Sequence, residues 1–364
     1  MHIVIDGRII SSTTGRYVER LITYLEKIDH TNQYTILVPT KDLEHWKPTN
    51  PNFTVQAADF ANYSLAEQIG LNKLLKSFKP DLVHFCMPQQ PVLYRGKSVT
   101  TFHDFTLLDI YMSDKNWFVY KFKQAVGYFV FKRVIKKNNW IITPSKYTKS
   151  RTLAFSPYAK GKTTAIHLAA EPVSGGSTPY KLPYKQYIMY VGQQGDHKNI
   201  RALGDAHQKL LSTYPDLGLV LVGKKDPSAL ANEAYFTSRG YKNILYTGFV
   251  SDAELNWLYT HTQAYVFPSL MEGFGLPGLE AMSRGAPVVS SNATCLPEVY
   301  GDAAHYFDPY NTGDMVRAIT EVLGNEKLRT TMSQKGYEQI KKYSWKKTAE
   351  QTHAIYMKVL KAKN

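Results

Sequence analysis

Short apolar runs alternate with amphipathic segments along most of the chain. The apolar runs predict buried parallel strands, because strands that are covered on both faces lack a polar alternation. Between these runs, apolar residues recur three and four positions apart, as at Val18, Leu21, Ile22 and Leu25, which predicts helices. Strands that alternate with helices in this way predict an α/β fold with doubly wound parallel sheets.

The predicted elements extend over the whole chain. Predicted strands cover residues 2–5, 34–38, 53–56, 82–85, 98–102, 140–143, 187–191, 217–222, 244–247, 264–267, 287–290 and 305–307. Predicted helices cover residues 64–78, 117–137, 199–211, 313–323, 326–343 and 345–361. Ser251 and Glu254 have capping-box spacing and predict the start of a further helix. Residues 172–183 are rich in Pro, Gly and Ser and predict a linker between two domains.

The composition favours a cytosolic protein or one that is peripheral on a membrane. Its 364 residues suffice for two domains, and a hydrophobic share of 43% is ordinary for a globular protein. Cys86 and Cys295 cannot form a disulfide framework, which favours a reducing compartment. Because Asp6 and Arg8 interrupt the first apolar run, the N-terminus does not resemble a signal peptide. We also expect no membrane-spanning helix and no zinc site.

Positive charge is concentrated in the first half of the chain. The formal net charge is +14, and residues 115–170 contain twelve Lys and Arg without a single Asp or Glu. This excess favours anionic partners. The predicted helix 117–137 interleaves aromatic and basic residues. We expect its aromatic face to pack into the core, with contact to an anionic membrane as the alternative. Nucleic acid is the less favoured partner, since no nucleic-acid-binding motif accompanies the helix.

Residues 264–285 carry the most informative pattern. A buried strand is followed by a loop containing Gly273 and Gly275, and Pro277 suits the first turn of a helix. The N-terminus of such a helix favours a phosphate group. Glu272 and Glu280 bracket it and suit hydroxyl groups on either side, as in a nucleotide sugar. The simpler alternative is that Glu280 stabilises the helix and Glu272 is solvated.

The same stretch reads P-S-x-x-E-G-F-G-L-P-x-L-E-A-M, followed by G-A-P-V-V, and it contains an E-x7-E pattern. It resembles the retaining, nucleotide-sugar-dependent glycosyltransferases of family 4. The resemblance implies the GT-B fold, in which two Rossmann-like domains face each other across a cleft. It further implies an acceptor-binding domain at residues 1–172, to which a last helix at about residues 345–364 returns, and a donor-binding domain at residues 184–344.

The resemblance assigns roles to the charged residues of the second domain. Glu272 would orient hexose hydroxyls, and Glu280 would bind the ribose. Lys198, in the loop of residues 192–199, matches a phosphate-binding lysine. Gln193 occupies a position where many relatives have an arginine, and His197 could supply part of the missing charge.

Further donor-site residues follow from the same resemblance. His103 would contact the donor sugar or its phosphate, and Gly15 would lie beneath the diphosphate. From the local sequence alone, His103 could equally be a core histidine bonded to backbone, and Thr14 with Gly15 could be a helix cap. The segment T-G-F-V, with Phe249 and Val250, resembles the loop that binds the nucleobase. The helix-leading loop adds four donor-binding residues: Gly273, Phe274, Gly275 and Leu276.

The resemblance implies transfer of a hexosyl unit from a nucleotide diphosphate sugar to a saccharide or lipid-linked acceptor, with retention. The mechanism implied is front-face displacement, in which neither a metal nor a cofactor takes part. GDP-mannose is the favoured donor, because the G-R-Y-V segment resembles mannosyltransferases of surface polysaccharide assembly. The alternatives are a sugar-nucleotide epimerase or hydrolase on the same fold, a glycosidase that uses both glutamates, and a non-catalytic binder of anions or nucleic acid.

Overall fold

A computed structural model describes residues 1–110, 117–170 and 175–362, and these residues form two compact units. The first unit comprises Met1–Phe105, Lys123–Leu168 and Ser344–Asn364, and the second comprises Thr106–Phe122 and Ala169–Tyr343. Each unit contains one sheet in which every pair of neighbouring strands is parallel. The predicted α/β architecture with parallel sheets is therefore confirmed.

The sheet of the first unit has seven strands in the order β3-β2-β1-β4-β5-β6-β7. Its strands are β1 His2–Asp6, β2 Gln33–Val38, β3 Phe53–Ala57, β4 Leu82–Phe85, β5 Ser98–Thr101, β6 Trp140–Thr143 and β7 Thr163–Ala165. The strand order changes direction between β1 and β4. Loops that follow these two strands therefore flank a topological switch point, where α/β proteins bind ligands at the carboxyl edge of the sheet.

The sheet of the second unit has six strands in the order β10-β9-β8-β11-β12-β13. Its strands are β8 Tyr187–Val191, β9 Gly218–Val222, β10 Ile244–Gly248, β11 Ala264–Phe267, β12 Val288–Ser291 and β13 Ala304–Phe307. Here the order changes direction between β8 and β11. The loops that follow β8 and β11 are the two that the sequence singles out as the candidate donor site.

Helices connect the strands and cover the sheets. They are α1 Gly15–Ile28, α2 Asn72–Ser77, α3 Thr106–Asp109, α4 Trp117–Lys137, α5 Lys146–Phe155, α6 Ile200–Leu210, α7 Pro227–Ser238, α8 Asp252–His261, α9 Leu276–Ser283, α10 Leu296–Tyr300, α11 Thr312–Leu323, α12 Glu326–Ile340 and α13 Trp345–Lys361. The capping box is confirmed at α8, where Ser251 accepts from the N–H of Glu254 and Glu254 accepts from the N–H of Ser251. α13 packs on α1 within the first unit.

The structure departs from the predicted elements at a few places. The helix expected at residues 64–78 contains a π-helical turn, Glu67–Leu71, in which Glu67 turns inward to pair with Arg8. α3, α5, β7, α7 and α10 were not predicted. The predicted linker falls partly on residues 171–174, which lie outside the described residues.

Helix α4 has the predicted bounds but an unexpected surface. Tyr120 and Phe131 are buried, as expected. The prediction that the aromatic face packs into the core is wrong for Phe118, Phe122 and Phe129, which are 76%, 71% and 63% exposed. The helix is apolar on two sides, so its sequence does not reveal which rings face inward. Within the part of the chain that the structure describes, no helix has the length and apolar character needed to cross a membrane.

Candidate functional site

Two loops meet at the switch point of the second sheet. Residues 192–199 follow β8, and residues 268–275 follow β11. The ammonium group of Lys198 donates to Oε1 of Glu272 at 2.6 Å. The N–H of Leu270 donates to the carbonyl of His197 at 2.8 Å. The structure therefore brings together two charged residues for which the sequence predicts separate roles, Lys198 on phosphate and Glu272 on the hexose.

The Lys198–Glu272 ion pair is held in a largely buried position. The two side chains are only 16% and 12% exposed. The ammonium group lies 5.5 Å from the centroid of the Phe267 ring, at the end of β11, within cation–π range. Lys198 is thus not the solvated surface lysine that its local sequence would also allow. A cation fixed in a loop at the carboxyl edge of the sheet suits a diphosphate, because an ammonium group offers three donors.

The backbone of Glu272 is fixed by two residues that sequence reasoning missed. Its N–H donates to Oγ1 of Thr294 at 3.2 Å, and its carbonyl accepts from Sγ of Cys295 at 3.2 Å. Burial raises the pKa of the Cys295 thiol, which therefore remains a neutral donor. Thr294 and Cys295 are 22 and 23 positions from Glu272 in the sequence. Contacts between loops at this separation leave no periodic pattern of apolar residues.

Gly275 determines how α9 begins. It is the N-cap residue with φ of 91°, a left-handed conformation that favours glycine. The hydroxyl of Tyr300 donates to its carbonyl at 2.6 Å, and a Cβ at Gly275 would lie 2.5 Å from that hydroxyl. The glycine thus allows Tyr300 to lie directly against the loop. The N-terminus of α9, which is the positive end of its helix dipole, then lies at the carboxyl edge of the sheet, next to the loop that carries Glu272.

The other predicted residues of this loop and helix differ in exposure. Phe274 is buried, with its ring 5.7 Å from that of Tyr343 in an edge-to-face arrangement. Gly273, Leu276 and Glu280 are half-buried. Glu280 lies in the second turn of α9, and its carbonyl accepts from Ser283 and Arg284. Glu280 thus lies on the helix whose N-terminus adjoins Glu272, as the E-x7-E spacing predicts.

Two further predicted segments lie along the same carboxyl edge. Gly248 ends β10, and its carbonyl accepts from the N–H of Gly223, which follows β9. Phe249 comes next and is 91% exposed, whereas Val250 is buried. Gln193 is exposed after β8, and its carbonyl accepts from the hydroxyl of Tyr190 at 2.6 Å. An exposed ring at a strand end is available to stack on a base.

In the first unit, Gly15 begins α1 after the loop that follows β1. A Cβ at Gly15 would lie 1.8 Å from the carbonyl oxygen of Ile10, so only glycine lets this loop fold against the helix. Thr14 occupies the N-cap position of α1, as the helix-cap alternative expects, but it makes no side-chain capping bond. These contacts give a steric reason for a glycine at position 15. A role for Gly15 beneath the diphosphate stays a prediction.

His103 follows β5 and is already bonded to backbone through one ring nitrogen. Its Nε2 lies 2.8 Å from the carbonyl oxygen of Cys86, which follows β4. Because a carbonyl can only accept, Nε2 carries the proton. Burial lowers the pKa of His103, which favours the neutral ring with Nδ1 as an acceptor. Nε2 is thus bonded to backbone, as expected of a core histidine. Nδ1 is the nitrogen that could accept a hydrogen bond from a hydroxyl of the donor sugar.

The described residues contain no group of three or more His, Cys, Asp or Glu side chains that could hold a metal ion. Transfer without a metal nevertheless remains an expectation, because the reaction itself is not tested by this observation.

Comparison with known proteins identifies the family. Residues 14–172 match the family described as Glycosyltransferase Family 4, and residues 181–339 match Glycosyl transferases group 1. The O-antigen chain mannosyltransferase B of Escherichia coli is 32% identical over 301 residues, which cover 78% of this chain and 75% of that protein. The serotype-specific mannosyltransferase WbdA of Escherichia coli is 31% identical over 70% of this chain, but the match spans only 32% of WbdA.

Solved structures with the same fold cover the chain from end to end. Sucrose-phosphate synthase from Thermosynechococcus elongatus superposes with a TM-score of 0.80 at 16% identity, over 100% of both chains. Anabaena Alr3699/HepE in complex with UDP and glucose gives 0.72 at 15% identity, over 98% of this chain and 100% of that one. At these identities the likeness concerns the fold alone, and it confirms the α/β GT-B fold.

The family matches do not favour an epimerase, a glycosidase or a non-catalytic binder. Both families are families of glycosyltransferases, and together they cover most of the two described units. The chain belongs to glycosyltransferase family 4, and the protein is a glycosyltransferase.

Proposed function

We propose that the protein transfers a hexosyl unit from a nucleotide diphosphate sugar to a saccharide or lipid-linked acceptor, with retention of configuration. The observation that carries this proposal is the Lys198–Glu272 contact at the switch point of the second sheet. There a fixed cation, a carboxylate and the N-terminus of α9 adjoin one another. A diphosphate with a sugar attached requires these three kinds of group.

The proposed mechanism is front-face displacement. Lys198 and the positive end of the α9 helix dipole stabilise the negative charge that develops on the departing diphosphate. This diphosphate takes the proton of the acceptor hydroxyl as the new glycosidic bond forms, so no protein nucleophile is needed. One oxygen of Glu272 holds Lys198, and the other accepts a hydroxyl of the hexose. Glu280 binds the ribose, and Nδ1 of His103 accepts from the donor sugar.

We propose mannose as the hexose and GDP-mannose as the donor. Support comes from the relatives that are named mannosyltransferases, including O-antigen chain mannosyltransferase B at 32% identity. The name of that relative concerns an O-antigen chain, which favours a growing saccharide, free or lipid-linked, as the acceptor. The base would stack on the exposed ring of Phe249 and bond to backbone groups of the same loop.

We further propose that the protein works at the cytoplasmic face of an anionic membrane. The support is helix α4, on which exposed Phe118 and Phe122 alternate with Lys121 and Lys123. A helix of this kind lies in the interface plane, with rings in the headgroup region and lysines near anionic phosphates. A lipid-linked acceptor would be presented at the same surface.

Thermal unfolding in the presence of GDP, UDP, ADP or dTDP tests the donor. We expect GDP alone to raise the midpoint, because a ligand at 100 times its dissociation constant adds about 2.7 kcal/mol to the free energy of unfolding. GDP-mannose with a mannoside acceptor should then yield an α-linked product, measured by NMR of the anomeric proton. A shift with UDP instead of GDP would contradict the donor, and a β-linked product would contradict retention.

A further inference from the structure

A cationic cavity of about 450 Å³ lies in the first unit. It is lined by the end of α4 and by the loop of residues 92–97, which leads into β5. Four of its lining residues are basic: Arg95, Lys97, Arg133 and Lys137. None of its lining residues is acidic.

The charges in this cavity are compensated by backbone carbonyls rather than by carboxylates. Nζ of Lys137 donates to two carbonyls of the loop at residues 91–94, at 2.6 and 3.2 Å. Nζ of Lys97 donates to two carbonyls at the end of α13, at 3.0 and 2.7 Å. The sequence contains no Asp or Glu at residues 82–103 or 115–170. These neutral acceptors leave the net positive charge of the cavity intact.

Concentrated positive charge in a half-buried cavity is unfavourable without an anion. Burial, together with the nearby charge of Arg133, lowers the pKa of Lys137 to about 7. An anion between these groups would relieve that repulsion. Arg95 and Arg133 are exposed at the cavity, and the planar fork of an arginine matches two oxygens of a phosphate group. Phosphate is therefore the chemical group that the cavity fits best.

The cavity belongs to the edge of the first sheet opposite to His103. Its lining residues Lys97 and Asn139 immediately precede β5 and β6, so they lie at the amino ends of these strands. His103 follows β5, at the carboxyl end. A phosphate group bound in the cavity would therefore not be the donor diphosphate.

Helix α4 indicates where such a phosphate group would come from. Phe129 precedes Arg133 by four residues, so the two side chains are neighbours on one helix face. Phe118 and Phe122 precede Phe129 by eleven and seven residues and are on the same face, and all three rings are exposed. An exposed aromatic stripe that ends at a cationic cavity suits a lipid surface, where rings enter the interface and headgroups are phosphate esters.

We propose that this cavity binds the phosphate group of an anionic lipid headgroup while Phe129 inserts into the interface beside it. The inference rests on the membrane part of the proposed function and adds the site that recognises the lipid. A second copy of the chain is a poor occupant, since it would bring two strongly basic surfaces together.

Co-sedimentation with phosphatidylcholine vesicles containing one third phosphatidylglycerol tests the proposal. Arg95→Gln combined with Arg133→Gln should weaken vesicle binding about 30-fold, the combined effect of two basic residues near the lipid surface. The matched control is Lys41→Gln combined with Lys47→Gln, which removes the same charge from exposed positions in the connection that leaves β2 at the opposite, carboxyl edge of the same sheet. The control should change binding less than threefold, because charges away from the contact are screened.

The outcomes separate the cavity from the membrane proposal. If the wild-type protein does not bind these vesicles, or binds pure phosphatidylcholine equally well, the membrane part of the function fails. If it binds them and both double variants weaken binding to the same extent, the cavity has no special role and this proposal is overturned. Millimolar inorganic phosphate at constant ionic strength should displace little protein, because it cannot replace ring insertion. Complete displacement would make soluble phosphate the ligand and overturn the lipid assignment.

Discussion

At the scale of single residues, the structure adds to the sequence a direct contact between Lys198 and Glu272. The motif resemblance predicts a role for Lys198 and another for Glu272, yet it does not predict that their side chains share a hydrogen bond of 2.6 Å. That contact depends on the strand order, which places the loops after β8 and β11 side by side. Glu272 therefore has a positioning role toward Lys198 in addition to its proposed contact with the hexose.

Replacing Lys198 with Met should lower kcat/KM for the donor by about 10² to 10³, the usual effect of removing one group that stabilises charge in a transition state. Glu272→Gln should have a similar effect, and the double variant should lose less than the product of the two, because the residues act as a unit. The initial rate of nucleoside diphosphate release is measured at several donor concentrations, which gives kcat/KM for each variant.

A surface ion pair of the same unit provides the control for this cycle. Lys341 pairs with Glu338 at 2.6 Å, with side chains 66% and 69% exposed. Lys341→Met and Glu338→Gln should leave kcat/KM near the wild-type value. If Lys198→Met also left kcat/KM for the donor unchanged, Lys198 would have no role in the mechanism.

At the scale of elements, sequence patterns predict what hydrophobic burial determines and miss what polar contacts determine. The strands other than β7, and helix α4, were predicted because their apolar residues are periodic or continuous. α5 was missed because the residues that it buries are Thr148 and Thr152, which an apolar stripe does not include. α7 was missed although Asp226 caps it and Pro227 opens it, a start signal that was available in the sequence.

The start of α9 allows a steric prediction at this scale. Gly275→Ala places a Cβ against the Tyr300 hydroxyl in a left-handed conformation, whereas Gly240→Ala meets a similar conformation, φ of 66°, with no atom within 4 Å. Gly240→Ala should cost about 1–2 kcal/mol of unfolding free energy from backbone conformation alone. Gly275→Ala should cost about 1–3 kcal/mol more from overpacking.

Urea unfolding of the two glycine variants measures this difference directly. Nucleotide binding should be weakened in Gly275→Ala and retained in Gly240→Ala, since only the former displaces the N-terminus of α9. Equal destabilisation of the two variants would mean that the contact with Tyr300 relaxes without cost.

At the scale of the whole molecule, the first unit is completed by the end of the chain. The hydroxyl of Tyr356, in α13, lies 2.6 Å from Nδ1 of His84, in β4, across 272 positions of sequence. Nε2 of His84 lies 2.9 Å from Oγ1 of Thr101, so the ring is buried between two hydroxyls. No local pattern predicts such a contact, because it depends on which unit the last helix joins.

These buried rings should make the stability of the protein depend on pH in the acid range. Burial, reinforced by the nearby His103, lowers the pKa of His84 to about 3, and burial lowers the pKa of His207, in the second unit, to about 4. In an unfolded chain a histidine has a pKa near 6.5. Below that pH the unfolded state binds more protons than the native state. Stability is therefore complete above pH 6.5 and is lost as the pH falls toward the native pKa values.

As the pH falls from 7 to 5, His84 takes up a proton in the unfolded state but stays neutral in the native state. This difference alone should reduce the free energy of unfolding by about 2 kcal/mol. Urea unfolding at both pH values measures this loss, and His84→Gln should show a loss smaller by that amount even if it is less stable at pH 7. His207→Gln should show a smaller pH dependence for the same reason, and the two reductions should add, because the residues lie in separate units. A wild-type pH dependence in the double variant would mean that other groups govern acid unfolding. It would also mean that the hydroxyls around His84 accommodate a charged ring.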